Sequence, residues 1–186
     1  MFKFCPQCGT KLTSHTINNI PRLVCPNCHY VHWSNETIST GGIVIKDHKI
    51  LLVQRAQHPG RGLWTNPGGF VEQTEDLGTS IAREIKEETG LVTKPREIVL
   101  VADKPGERNH NIFVNFQLDY VSGDFHLQTS ELLNAGFFTR EEIKQMPVAK
   151  LTQEIIKLVI IDEKQKPNLG KINVPSTETN GFTLYR

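Results

Sequence analysis

Apolar and polar residues follow strand-like patterns in three stretches of this chain and a helical period in others. Two β-branched apolar runs within residues 42–54, separated by a charged turn, predict a β-hairpin. Residues 93–102 and 112–121 predict two further strands, the second from its clear alternation. Thr139 begins a short capped helix, and residues 151–162 space their apolar side chains for helix packing. The chain therefore mixes strands with helices.

The strongest helix signal covers residues 77–89. Asp76 is a favourable N-cap residue, and Gly90 suits the left-handed conformation expected just beyond a helix C-terminus. At about 100° per residue, Arg83 and Lys86 fall on the side away from the apolar stripe. That stripe consists of Leu77, Ile81, Ala82 and Ile85. One face of the helix is therefore predicted to pack in a core.

Three glutamates share one face of this helix, because Glu84, Glu87 and Glu88 are spaced i, i+3 and i+4. Like charges within one turn repel, and carboxylates at the edge of a buried face are partly desolvated. A hard divalent cation such as Mg²⁺, which takes oxygen ligands, would relieve both costs. Taken by itself, the cluster is better explained as a solvated acidic face with an Arg83–Glu87 ion pair.

All four cysteines lie within the first 28 residues, in two Cys-Pro-x-Cys motifs formed by Cys5 with Cys8 and by Cys25 with Cys28. Two such motifs can turn four sulfurs toward one point, which is the closed arrangement of a structural Zn²⁺ site. Two disulfides are the alternative, but no secretion signal supports an oxidising compartment. We therefore predict a zinc ribbon.

Length and charge exclude several classes of protein. The 186 residues can hold one ordinary domain and a small appendage, and a net charge of +1 indicates no strong attraction to nucleic acid or membrane. No apolar run is long enough to span a bilayer. The N-terminal residues lack the apolar region of a signal peptide, so a cytoplasmic location is expected.

Composition also suggests where domains begin and end. The expected parts are the zinc ribbon over 1–33, a main domain over 34–165 and a polar C-terminal tail over 166–186. The ribbon has basic residues and no acidic ones, although the negative charge of a zinc–thiolate centre offsets them. A nucleic-acid partner for the ribbon therefore stays open but is not indicated.

Together with its flanks, the acidic helix forms a longer motif. Its defined positions are Gly69, Glu75, Arg83, Glu84, Ile85, Glu87, Glu88, Gly90 and Leu91. With these spacings the motif resembles the Nudix box at every defined position. The resemblance covers residues 38–162. It implies an α/β/α sandwich around a mixed sheet, and a hydrolase that cleaves a nucleoside diphosphate linked to another moiety.

The resemblance also implies roles for individual residues. Glu84, Glu87 and Glu88 are the expected ligands of catalytic Mg²⁺ or Mn²⁺, and Gly68 offers its backbone carbonyl. Arg83 is expected to orient the acids of the helix.

A further acid is expected shortly before an aromatic pair, and Glu131, six residues before Phe137, occupies that place. It would be a metal ligand or a general base. Glu84 is our first choice for the base that accepts a proton from the attacking water, and Glu131 is the second.

Three arginines are candidates for contacts with substrate phosphates, namely Arg55, Arg61 and Arg108. Each is equally well explained as a surface residue that favours solubility. Residues that select the substrate are expected in 55–64 and 103–115.

A four-cysteine ribbon ahead of such a domain is similar to the NADH pyrophosphatase branch and its relatives that cleave FAD or ADP-ribose. NADH pyrophosphatases carry a Gln-Pro-Trp-Pro-Phe-Pro run after the box, whereas this chain has polar residues over 103–110. The arrangement of the two domains therefore implies a dinucleotide or ADP-ribose as the substrate. Alternatives are removal of damaged nucleoside triphosphates and nucleotide sensing without catalysis. The intact box carboxylates favour an enzyme. Homodimers are common in this branch, so the resemblance admits one here.

Overall fold

The chain forms two compact units, Met1–Glu36 with Gly106–His110 and Thr37–Pro105 with Asn111–Arg186. The structure, a computed structural model, describes residues 2–33, 36–106, 109–160, 171–172, 174–175 and 177–185. Within this described part, no helix is long and apolar enough to cross a membrane.

The first unit is built on a small antiparallel sheet. Its strands are β1 (Thr13–Ile17), β2 (Ile20–Val24) and β3 (Val31–His32), in that spatial order. Among the residues that the structure describes in this unit, only Cys5, Leu12 and Cys25 are buried, and Leu23 and Tyr30 pack against them. So small an apolar core contributes little to the stability of this unit. A bound metal would therefore supply much of the free energy of folding.

The second unit contains a mixed sheet of nine strands. Its strands are β4 (Glu36–Lys46), β5 (Lys49–Arg55), β6 (Trp64–Thr65), β7 (Gly68–Phe70), β8 (Val92–Lys104), β9 (His110–Ser122), β10 (Leu132–Phe138), β11 (Lys171–Ile172) and β12 (Thr183–Tyr185). The main order is β10-β5-β4-β9-β8-β12-β11, with β6 paired to β5 and β7 paired to β4. The helices are α1 (Leu77–Thr89), α2 (Arg140–Ile143) and α3 (Lys150–Ile160).

Helices cover both faces of this sheet. Successive residues of β4 point to opposite sides, so Ile43 packs in the same cluster as Ile155 of α3, and Val44 in the same cluster as Ile85 of α1. All four side chains are fully buried. The predicted α/β/α sandwich is therefore confirmed.

Helix α1 begins and ends where its sequence predicts. The Asp76 side chain accepts a hydrogen bond from the Thr79 N–H at 2.9 Å, and Gly90 adopts the left-handed conformation with φ of 82°. A side chain at Gly42 of β4 would come within 2.8 Å of the Ile85 Cδ1 atom. Glycine at this position lets α1 pack closely on the centre of the sheet.

The predicted hairpin forms from β4 and β5, with Asp47 and His48 at positive φ in its turn. Residues 124–128 form a loop. This loop follows the end of α1, because the His126 N–H donates to the Thr89 carbonyl at 2.8 Å. It thereby leads the chain back toward the acidic helix.

The C-terminal residues differ from the predicted polar tail. Strand β12 pairs antiparallel with β8, and Leu184 lies opposite Ala102 with only 1% of its surface exposed. Thr179 is also fully buried. The apolar residues Phe182 and Leu184 alternate with Thr183, which is the pattern of a strand with one face on a core. The described part of 171–185 therefore belongs to the folded unit.

Leu184→Ala is expected to lower the free energy of unfolding by about 2–5 kcal/mol, because it leaves a cavity beside the sheet. Urea denaturation measures this change. Glu178→Ala, at an exposed position of the same segment, is the control. A loss below about 0.5 kcal/mol, which is usual for a surface site, would show that the segment is a dispensable tail.

Candidate active site

Arg83 is the centre of an ion-pair network at the acidic helix. Its Nε and Nη2 atoms donate to the two carboxylate oxygens of Glu75 at 3.0 and 2.7 Å. Its Nη1 atom donates to Glu84 at 2.9 Å and to Glu87 at 3.0 Å. The helical period predicted that Arg83 lies on the side away from the apolar stripe, but its long side chain reaches all three acids. Hydrogen bonds from the guanidinium hold the pKa of Glu75 at about 2.

Glu88 is the most buried acid of the helix, with 7% of its surface exposed. Its Oε2 atom accepts a hydrogen bond from the Gly68 N–H at 3.3 Å. Burial raises the pKa of Glu88 to about 8, and the nearby carboxylates of Glu84 and Glu131 add to the rise. At neutral pH and without a cation, this carboxyl group is therefore mostly protonated.

Glu84 is a member of the Arg83 network and is partly buried. Burial is the main cause that raises its pKa, Arg83 opposes the rise, and the charges of Glu87 and Glu131 add to it. The carboxylate packs against Gly69 so closely that a Cβ atom there would collide with it. Gly69, the first residue of the Nudix-box motif, thus makes room for the Glu84 side chain, of which 16% is exposed.

Glu131 reaches this site from a distant part of the sequence. The loop before it is fixed to α1 by the Gln128 N–H, which donates to the Glu88 carbonyl at 3.0 Å. The Glu131 carbonyl in turn accepts from the Ala56 N–H at 2.7 Å, just after β5. These bonds hold the acid between the end of α1 and the residues that follow β5.

A cavity of about 340 Å³ opens beside these acids. Arg55, Gly68, Glu88 and Glu131 all line it, so the structure brings together four of the residues singled out from the sequence. Arg61 is exposed and does not line the cavity. Glu84 and Glu87 form ion pairs with Arg83. Arg108 lies outside the described residues.

The donor set of this site fits a hard divalent cation. The available groups are carboxylate oxygens, which Mg²⁺ and Mn²⁺ prefer. Negative charge is in excess around the cavity, because the charges of Glu84 and Glu131 make it harder to ionise Glu88, while Arg83 is shared by three acids. A cation would remove the penalty that raises the pKa of Glu88.

The four cysteines form a second, separate donor set. Their sulfur atoms all lie within 4.8 Å of one another, and none forms a disulfide. A tetrahedral Zn²⁺ site with Zn–S bonds of about 2.3 Å places sulfurs about 3.8 Å apart. Among the described residues, this is the one group of three or more metal-binding side chains gathered so closely. The set therefore fits Zn²⁺.

Comparison with known families gives two matches. Residues 36–159 match the family described as NUDIX domain, and residues 3–34 match the one described as Nudix N-terminal.

The chain belongs to the Nudix hydrolase family.

The predicted family is thus confirmed. An ADP-ribose pyrophosphatase from Methanocaldococcus jannaschii is 40% identical over 97 residues, which are 51% of this chain and 56% of that protein. The NAD-capped RNA hydrolase NudC of Vibrio parahaemolyticus is 32% identical over 158 residues, or 85% of this chain and 58% of that protein. This Nudix chain therefore spans less than two thirds of the length of either relative.

A solved structure shows a likeness over most of the chain. The crystal structure of a NUDIX hydrolase from Nitrosomonas europaea has a TM-score of 0.75 and 31% identity. The match covers 84% of this chain and 89% of that one.

Several residues that line the cavity of the Nudix domain do not belong to any motif recognised in the sequence. Asn111 and Phe113 lie within 103–115, where substrate-selecting residues were expected, but Asn66 and Phe182 do not. The sequence reasoning missed Asn66 because an isolated amide before a glycine pair has no defined signal. For Phe182, the strand-like alternation at the C-terminus was the available signal.

Proposed function

We propose that this protein is a metal-dependent pyrophosphohydrolase that cleaves a nucleoside diphosphate linked to another moiety, either ADP-ribose or an NAD-like dinucleotide. The observation that carries the proposal is the cavity in which Glu88, Glu131, Gly68 and Arg55 meet. The relatives named as an ADP-ribose pyrophosphatase and as NudC support the substrate class.

The metal in this proposal is Mg²⁺ or Mn²⁺. Glu84, Glu87, Glu88 and Glu131 would hold it, together with the backbone carbonyl of Gly68. When bound, such an ion neutralises phosphate oxygens and lowers the pKa of water. Glu88 supports this assignment most strongly, since its burial raises the cost of an ionised carboxylate that has no cation.

The protein's own side chains orient the substrate and accept a proton. Arg55 lines the cavity and is half-buried, so its guanidinium can pair with phosphate oxygens there. Arg83 is saturated by Glu75, Glu84 and Glu87, and it acts by fixing those acids. Its part in the site is therefore to position other groups.

Glu84 is the proposed general base, with Glu131 as the second choice. Water attacks one phosphorus of the pyrophosphate, the bridging P–O bond breaks, and the proton of the water passes to the carboxylate. The pKa of Glu84 is raised by burial, which brings the base closer to the pH at which it operates. The products are AMP and a second phosphate-bearing molecule.

A substrate panel with product analysis tests the function. We expect ADP-ribose, NADH, NAD or FAD to give AMP plus a second phosphorylated product, in the presence of Mg²⁺ or Mn²⁺ and not without them. Nucleoside triphosphates and capped RNA complete the panel. The Glu88→Gln protein, purified in the same way, shows how much activity comes from contaminating enzymes.

Two results would contradict the proposal. Release of pyrophosphate from nucleoside triphosphates alone would assign the site to removal of damaged nucleotides. Tight binding of a nucleotide without any turnover, with either metal, would indicate a sensor.

A further inference from the structure

The cavity of the second unit has two chemically different sides. In the sheet, β5 and β10 lie on one side of β4, whereas β9 and β12 lie on the other. Arg55 ends β5 and Glu131 immediately precedes β10, so two charged lining residues belong to the first side, and Glu88 of α1 is the third charged one. Phe113 of β9 and Phe182, just before β12, line the cavity from the second side.

Phe182 is held in place by the fold. Its N–H donates to the Thr179 carbonyl at 3.2 Å, and the Thr179 hydroxyl donates back to the Phe182 carbonyl at 2.6 Å. Two residues later, Leu184 is buried opposite Ala102. The Lys104 ammonium lies 5.3 Å from the centre of the Phe182 ring. These bonds fix the backbone, and the partly buried Phe182 side chain packs against the core cluster that contains Leu184, which lowers the entropy cost of using the ring.

Phe113 joins the aromatic side to the charged side. It pairs with Ala102, so it lies in the same row of the sheet as Leu184. Its ring covers Gly41, where a Cβ atom would collide with the Phe113 Cζ atom. Gly41 pairs in turn with Gly68, which lines the cavity beside Glu88.

An oriented amide lies beside the Phe113 ring, since a Cβ atom at Gly41 would collide with both. Asn66 is buried with 4% exposed, and its Oδ1 atom accepts from the Thr152 hydroxyl at 3.0 Å. Its Nδ2 atom donates to Asn115 Oδ1 at 3.1 Å, and Asn66 lines the cavity. Flat rings beside a fixed carboxamide suit a planar heterocycle, which stacks on the rings and presents hydrogen-bonding groups at its edge.

We infer that Phe182 is a specificity-determining residue that, with Phe113, forms the seat for the purine base of the nucleotide. This inference rests on the proposed function, because it places the base on one side of β4 and the pyrophosphate on the other. The C-terminal segment thereby supplies part of the substrate site.

Equilibrium binding of AMP, measured by calorimetry with Mg²⁺ present, tests the inference without any need for hydrolysis. Phe182→Leu keeps an apolar side chain but removes the ring, and we expect the Kd for AMP to rise by about 5- to 100-fold. Ribose 5-phosphate, which has the same sugar phosphate and no base, should bind both proteins equally. Phe182→Trp should retain AMP binding.

Phe125→Leu is the matched control, since this phenylalanine is exposed and does not line the cavity. Equal weakening of AMP and ribose 5-phosphate in Phe182→Leu would overturn the inference, as would unchanged AMP binding. If Phe182→Leu does not fold, failure of Phe182→Trp to bind AMP overturns it. The proposed function fails on a different result, the absence of turnover by the wild-type protein.

Discussion

Replacing Glu88 with glutamine is expected to lower kcat by roughly three orders of magnitude, because it removes a charged ligand from the metal that neutralises the substrate. The fold should be retained. Glutamine has nearly the same volume as glutamate, and its side-chain oxygen can still accept the hydrogen bond from the Gly68 N–H. Steady-state kinetics with saturating Mg²⁺ measures the loss.

The same substitution should change how stability depends on pH. Glu88 has a pKa of about 8 in the folded protein against an ordinary value of 4.5. Between these values the folded state binds more protons than the unfolded state, so stability falls as pH rises and the loss is complete above pH 8. The loss amounts to a few kcal/mol. Glutamine cannot ionise, so the Glu88→Gln variant should not lose this stability as the pH rises.

Urea denaturation at pH 6 and pH 9, without added Mg²⁺ or Mn²⁺, measures this difference. Glu97→Gln, at an exposed position of β8, controls for the loss of one negative charge. Near-normal turnover by the Glu88→Gln protein would show that Glu88 has no catalytic role. Parallel pH profiles for the variant and wild type would show that Glu88 ionises normally.

Local signals explain why the sequence predicts α1 so well. Its N-cap Asp76 and its terminal Gly90 act within one turn of the helix, and both bonds form in the structure. Glu131 lines the cavity, and its only signal in the sequence was its position relative to Phe137 in a family pattern. These features depend on residues close together in the sequence or on a recognised motif.

Features that depend on distant pairing were not predicted. Strand β12 lies next to β8, about 80 residues earlier, and a short segment does not encode such a partner. The same is true of the cavity, which Phe113 and Phe182 both line only because of the strand order. Arg83 shows a third limit, since a helical wheel gives the direction of a Cβ atom and not the reach of a guanidinium.

The second large effect concerns the zinc ribbon. Removal of Zn²⁺ with a strong chelator should unfold β1 and β2, because the buried apolar core of this unit consists of Cys5, Leu12 and Cys25. Structural Zn²⁺ contributes an apparent 10–16 kcal/mol, roughly, in small zinc domains, far more than such a core can. Hydrogen exchange measures the effect as loss of amide protection in residues 2–33.

Helix α1 lies in the other compact unit, so its amides should keep their protection when Zn²⁺ is removed. Cys25→Ser should reproduce the unfolding, since Cys25 is fully buried and supplies one of the four sulfurs. His15→Ala is the control, because that exposed histidine is not part of the cysteine group. Metal analysis should find one Zn²⁺ per chain. A protein that contains no zinc and no titratable thiols would instead hold two disulfides, and the ribbon would then resist the chelator.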